Sequence, residues 1–258
     1  MKNTAGVALL LQRTTATTMT RRTIIVCALI SLSLLNRCST APSTFRNPSR
    51  EPVRFGDHGR ALTYVVIGDS TAAGQGAPYA QGIAVGTATA LAADHRVTMT
   101  NLGVSGARIK DVVAGQLADA VRLHPDLVLL SVAANDVTHL TYVAAMESSL
   151  LRIVRALKIA NPNMAIVVTG SPDMGSPPRI PRLLHGLASR RTEAINRMFR
   201  KVAAEEHLTF APIADDTGPL FRKDRSLFAD DRFHPNARGY ATWIRVLNDA
   251  IARALIGR

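Results

Sequence analysis

The chain has 258 residues, of which 47% are hydrophobic and 19% charged, and a formal net charge of +12. That apolar share is ample for a buried core and excludes a disordered or fibrous chain, while the length fits one domain or two. The charge is not a nucleic-acid signature: the first fifty positions hold seven basic residues and no acidic one, leaving 24 basic against 19 acidic residues beyond them, an ordinary surface balance.

The N-terminal segment stands apart. Arg21-Arg22 precede an apolar run from Ile24 to Leu35, a basic region followed by a hydrophobic stretch too short to span a bilayer comfortably. Residues 1–38 are therefore expected to be a signal peptide or an N-terminal membrane anchor. The chain is expected to be exported, either secreted or associated with the cell envelope. Met19 would open a signal of more ordinary proportions than Met1 does. Cys38 leaves three fates open: cleavage, lipidation at this cysteine, or retention of the segment as an anchor to membrane or cell wall. Asn36-Arg37 match poorly the small residues that precede a lipidated cysteine. Residues 39–58, rich in Ser, Thr, Pro and Arg, are expected to form a flexible tether, and the folded domain is expected over 59–258. Cys27 and Cys38 are the only cysteines. The domain is thus read as having no disulfide, no cysteine nucleophile and no thiolate metal site, and it is large enough to be stable without bridges.

From residue 62 onward strand-like and helix-like segments alternate. Strands are predicted at 62–67, 96–100, 126–132, 164–169 and 208–213, and helices within 80–93 and at 109–122, 140–160, 182–206 and from about 235 to the end. Ile109, Val112, Val113, Leu117 and Val121 fall at helical spacing. The strand at 126–132 is nearly all apolar, as expected when helices cover both faces. Asn161-Pro162-Asn163 stops one helix, and Pro235 is tolerated in the first turn of the last. Parallel strands joined by right-handed helical crossovers predict an α/β fold, a three-layer α/β/α sandwich. No internal repeat or long polar linker suggests a second folded domain.

Four polar blocks follow predicted strands, where a parallel sheet gathers distant residues at one edge. Gly68-Asp69-Ser70 follows the first. Asn101-Leu102-Gly103-Val104-Ser105-Gly106 follows the second, and Ala133-Ala134-Asn135-Asp136 the third. Asp231-Arg232-Phe233-His234-Pro235 lies near the end. A serine hydroxyl needs an imidazole to take its proton during attack, and a carboxylate on the other ring nitrogen fixes the tautomer and stabilises the imidazolium. Ser70, His234 and Asp231 supply that set. Acyl transfer also needs donors for the developing oxyanion. The main-chain N–H groups of Ser70 and Gly103 and the side chain of Asn135 are the candidates.

With these blocks the chain strongly resembles the SGNH hydrolases, the subgroup of GDSL esterases and lipases named for Ser, Gly, Asn and His. The matching residues are Ser70, Gly103, Asn135 and His234, with Asp231 three positions before the histidine, and the resemblance runs from residue 62 to about 255. It implies a five-stranded parallel sheet in the flavodoxin-like order 2-1-3-4-5. It also implies two-step hydrolysis of a carboxylic ester, acyl or acetyl, of a small molecule, lipid or glycan, with no cofactor. Acyl transfer to a sugar hydroxyl and binding without turnover are the alternatives. One position departs from the pattern: the third block usually opens with Gly, and here it is Ala133, whose methyl could narrow the pocket.

Other polar residues fit structural roles better. Ser105 lies in a near match to a Gly-x-Ser-x-Gly elbow, but Ala107 replaces the last glycine, so a turn is expected. The histidines other than His234 show no ligand spacing, and no metal site is expected. Asp69 and Asp136 are expected to hold their loops by accepting backbone N–H groups. Asp230 competes with Asp231 as partner of His234, and the three-residue interval favours Asp231. The proline-rich loop 171–181 should emerge beside Ser70, and with Arg179, Arg182, Arg190 and Arg191 it could wall the site toward an anionic or headgroup-bearing substrate, or be simply a solvated loop.

Overall fold

A computed structural model describes residues 45–256. The expectations for the signal or anchor, for Met19 and for Cys38 lie outside those residues. Asn47–Arg258 cluster as one compact unit. Its strands are β1 (Val53–Phe55), β2 (Arg60–Gly68), β3 (His95–Asn101), β4 (Leu127–Ser131), β5 (Ala165–Val168) and β6 (Thr209–Phe210). Its α-helices are α1 (Ser70–Ala73), α2 (Ile83–Leu91), α3 (Ile109–Gly115), α4 (Leu117–Arg122), α5 (Ala134–Thr138), α6 (Val143–Ala160), α7 (His185–Glu205), α8 (Ile213–Lys223) and α9 (Ala237–Ile256).

The sheet runs β1-β3-β2-β4-β5-β6. Strands β2 to β6 are parallel and, numbered among themselves, lie in the expected order 2-1-3-4-5. The sixth strand corrects the expected count. Val53–Phe55 pairs antiparallel with β3 at the sheet edge, so these three residues of the stretch 39–58 form an edge strand and not tether. Arg50, just before it, is ion-paired with Asp119.

Side chains alternate across a strand, and here the alternation feeds two cores. Val65, Ile67, Val128, Leu130, Ile166 and Val168 pack beneath α3, α4, α6 and α7. Tyr64, Val66, Leu127, Leu129 and Val167 pack on the other face against α2, α8 and α9. All five residues of β4 are buried, which accounts for its unbroken apolar run. The result is the three-layer sandwich expected from the alternating elements.

Two helical boundaries and one strand boundary differ from expectation. The helix expected over 109–122 breaks at Gln116, whose side chain turns inward: its amide accepts from the Gly68 N–H and donates to the Gly68 carbonyl, both at 2.8 Å. The helix expected over 140–160 begins at Val143, and a separate short helix, α5, precedes it. The strand expected over 208–213 pairs only at Thr209–Phe210, and the chain then enters α8, where Ile213, Thr217 and Phe221 are buried at helical spacing.

Candidate active site

Ser70 opens α1 directly after β2. Gly68 has φ of +146°, and a Cβ there would lie 1.8 Å from the Ser131 carbonyl of β4, so glycine is obligatory. Asp69 donates its N–H to that carbonyl at 2.9 Å. Its Oδ1 accepts the Thr71 N–H at 2.9 Å and the Thr71 hydroxyl at 2.8 Å, which caps α1. This is the loop-holding role expected of Asp69. The other carboxylate oxygen is buried with no hydrogen-bond partner among the described residues, and burial pushes the Asp69 carboxyl up to about 6. The Ser70 N–H lies in the first helical turn, where α-geometry supplies no intrahelical acceptor.

His234 is buried, with Nε2 2.9 Å from Ser70 Oγ. Its Nδ1 lies 2.5 Å from Asp231 Oδ2. Asp231 Oδ1 accepts the N–H groups of Phe233 and His234 at 2.9 and 3.0 Å, so the same carboxylate shapes the turn and orients the ring. Burial acts to raise the Asp231 carboxyl, but the bond to His234, the charge of that ring and the two backbone N–H groups outweigh it and hold the group at about 2. Asp230, the rival, is exposed. Two neighbours pack against His234. The Phe233 ring meets it edge-on at 5.1 Å, and a Cβ added at Gly76, where φ is +101°, would lie 2.7 Å from His234 Cβ.

The oxyanion candidates stand at the same edge, after β3 and β4, but each has a bond already made. The Gly103 N–H donates to Asn101 Oδ1 at 2.9 Å. Asn135 Nδ2 donates to the Ala107 carbonyl at 3.0 Å. An amide nitrogen carries two hydrogens, so Asn135 keeps one for a ligand, whereas Gly103 would have to share its single N–H. Gly103 is also fixed sterically, because a Cβ would lie 2.7 Å from the Ala73 nitrogen of α1. Asp136 Oδ2 accepts the Ile109 N–H at 3.0 Å, again the expected loop-holding role, and burial raises its carboxyl. Ser105 lies in a turn, with its hydroxyl on Gln75 Oε1.

Ala133, the departure from the family pattern, has φ of +110°. A Cβ in that region is strained, which is the physical reason for glycine there. Its buried methyl is not part of the pocket wall; Ala134 is. Two amide clips carry no sequence motif. Gln116 grips Gly68, and Asn196 on α7 accepts from the Ser171 N–H and donates to its carbonyl, both at 2.8 Å. The only signal for either is a lone amide on an apolar helix face.

A cavity of roughly 430 Å³, including its open mouth, adjoins Ser70 and His234. Loop 171–181 lines it through Pro172, Asp173, Met174, Ser176 and Pro177. The arginine wall is not seen. Arg179 lies over the Phe233 ring at 5.7 Å, Arg191 donates to the Val137 and Thr141 carbonyls, Arg182 and Arg190 are exposed, and none of the four lines the cavity. Among the described residues, no group of three or more His, Cys, Asp or Glu side chains could hold a metal, and no helix is long and apolar enough to cross a membrane.

A three-layer sandwich of this strand order, with Ser, His and Asp in contact at the C-terminal ends of its strands, defines the SGNH class of fold and site. The model of the GDSL-like Lipase/Acylhydrolase family matches residues 66–242, and the chain belongs to that family. It is 31% identical over 199 residues to a GDSL-like esterase of Mycobacterium tuberculosis, a match covering 74% of this chain and 62% of that protein. The chain thus spans less than two thirds of that relative's length. Its fold is similar to that of an acetylxylan esterase from Geobacillus stearothermophilus, with a TM-score of 0.56 and 20% identity over 76% of this chain and 94% of the other. It is likewise similar to a putative GDSL-like lipase from Parabacteroides merdae, with a TM-score of 0.61 and 18% identity over 77% and 99%.

Proposed function

We propose that this chain is an exported serine esterase that hydrolyses carboxylic esters. The observation that carries the reading is the pair of contacts from Ser70 through His234 to Asp231, 2.9 and 2.5 Å long. His234 Nε2 takes the Ser70 proton as Oγ attacks the ester carbonyl, and Asp231 stabilises the imidazolium. The N–H groups of Ser70 and Gly103 and the Asn135 amide receive the oxyanion. His234 returns the proton to the departing alcohol, leaving an acyl group on Ser70. A water then enters, His234 removes its proton, and the acid leaves as Ser70 Oγ regains a hydrogen. No step calls for a cofactor. Membership of a lipase and acylhydrolase family supports ester hydrolysis, and Arg21-Arg22 before the apolar run to Leu35 supports export.

A chromogenic ester such as p-nitrophenyl butyrate tests the chemistry. The intact protein should turn it over, and Ser70→Ala should lower kcat/KM by at least about 10⁴-fold. Turnover that survives Ser70→Ala would place the chemistry elsewhere. Cell fractionation tests export, since a purely cytoplasmic product would contradict it.

A further inference from the structure

We propose that the cavity beside Ser70 is an alkyl chamber, which takes an apolar chain longer than a methyl group carried by the substrate ester. The inference rests on the esterase reading above and names the chemistry of its substrate. The wall is dominated by Met174, Phe221, Phe228, Phe233 and Trp243. Three of these rings lock one another: Phe221 meets Phe228 edge-on at 5.1 Å and Trp243 at 5.9 Å. The apolar surface is thus held in place before a ligand arrives, which reduces the ordering that binding must impose.

The polar side chains of the wall point to the same occupant. Thr217 donates its hydroxyl to the Ile213 carbonyl at 2.6 Å, and Ser176 to the Asp173 carbonyl at 2.6 Å. Asp173 Oδ1 accepts the Gly175 N–H at 3.1 Å and the Ser189 hydroxyl at 2.8 Å, while Oδ2 pairs with Arg222. The Thr71 hydroxyl donates to Asp69 Oδ1. Ser70 and His234 are bonded to each other, and the buried indole N–H of Trp243 is the side-chain donor of the wall that has no partner among the described residues. The oxygens of a sugar ring entering this space would give up donors in water and find almost no free side-chain donor in the wall to replace them. An alkyl chain gives up none.

Two ester series test this on the intact protein. One lengthens the acyl group from acetyl to octanoyl on p-nitrophenol; the other lengthens the alcohol from methyl to octyl on acetate, followed by acid release. Along one series kcat/KM should rise about fourfold per methylene, the equivalent of ~0.8 kcal/mol, at least as far as the four-carbon chain. The series that rises tells which side of the scissile bond the chamber holds. Flat or falling values along both overturn the chamber while leaving the hydrolase intact. Trp243 is the only tryptophan of the chain, so its emission reports on the chamber without turnover. In Ser70→Ala protein, an octanoyl or octyl ester should shift that emission saturably, and methyl acetate at the same concentration should not. If no ester is hydrolysed at any length, the esterase reading falls and the emission alone decides: a chain-dependent shift upholds the chamber, and none overturns it.

Discussion

On the nucleophile side of the site, Ser70, His234 and Asp231 already stand at hydrogen-bond distance, 2.9 and 2.5 Å apart. On the oxyanion side, the Gly103 N–H and Asn135 Nδ2 each donate to the protein itself, at 2.9 and 3.0 Å. The first half is held ready by a carboxylate that serves ring and turn together. The second is held in position by acceptors that a developing oxyanion must compete with or supplement. Preorganisation therefore has two forms here. One makes the reactive contacts in advance, and the other fixes the donors through substitute partners and gives up part of their strength.

Substitutions on the two sides should separate these forms. Asp231→Asn removes the charge that orients His234 and should lower kcat by about 10⁴-fold with KM little changed, in steady-state kinetics on a p-nitrophenyl ester. Asn135→Ala removes the donor with a hydrogen to spare and should lower kcat about 100- to 1,000-fold. An Asn135 effect as large as that of Asp231 would mean that the two halves do not differ in this way.

The carboxylate beneath the nucleophile sharpens the contrast through pH. Asp69 titrates at about 6 in the folded protein against about 3.9 in an unfolded chain. The folded state thus binds its proton more tightly, so this contribution to stability is complete below pH 4 and is lost as pH rises through 6, by on the order of 3 kcal/mol at most. Asp69→Asn should flatten that part of a urea-denaturation profile between pH 4 and 7. Asp231, held at about 2, acts in the opposite sense: its stabilisation is present above about pH 4 and is lost as pH falls through 2.

The smallest expected effect lies on the oxyanion side. Ala133→Gly relieves a φ of +110° at the cost of unfolded-chain entropy, and should raise stability by about 1 kcal/mol, a few degrees in Tm. A lower Tm would show that the loop before Asn135 is not strained.

How far the sequence foretells this molecule depends on whether the signal is local. Strands β2, β4 and β5 are legible because burial on both faces demands apolar runs, and Ser70, Asp231 and His234 are legible because Ser70 follows such a run and Asp231 and His234 sit a short fixed interval apart. Strand β1 is not, since Val53–Phe55 is three residues long and pairs through its backbone. Helix α8 is hidden by Gly218 and Pro219 in its interior, two residues that ordinarily mark a break. Gln116 and Asn196 are invisible because their partners, Gly68 and Ser171, lie 48 and 25 positions away. The departure at Ala133 shows in the sequence, but its cost appears only in the backbone angle.

Covalent trapping tests the central claim most directly. An alkyl fluorophosphonate mimics the tetrahedral adduct and reacts with a serine only when that serine is activated. Mass spectrometry of the treated protein should find a single adduct on the peptide containing Ser70, absent from Ser70→Ala and strongly reduced in His234→Ala. A protein left unlabelled, or labelled at another serine with equal efficiency in the His234 variant, would contradict the account.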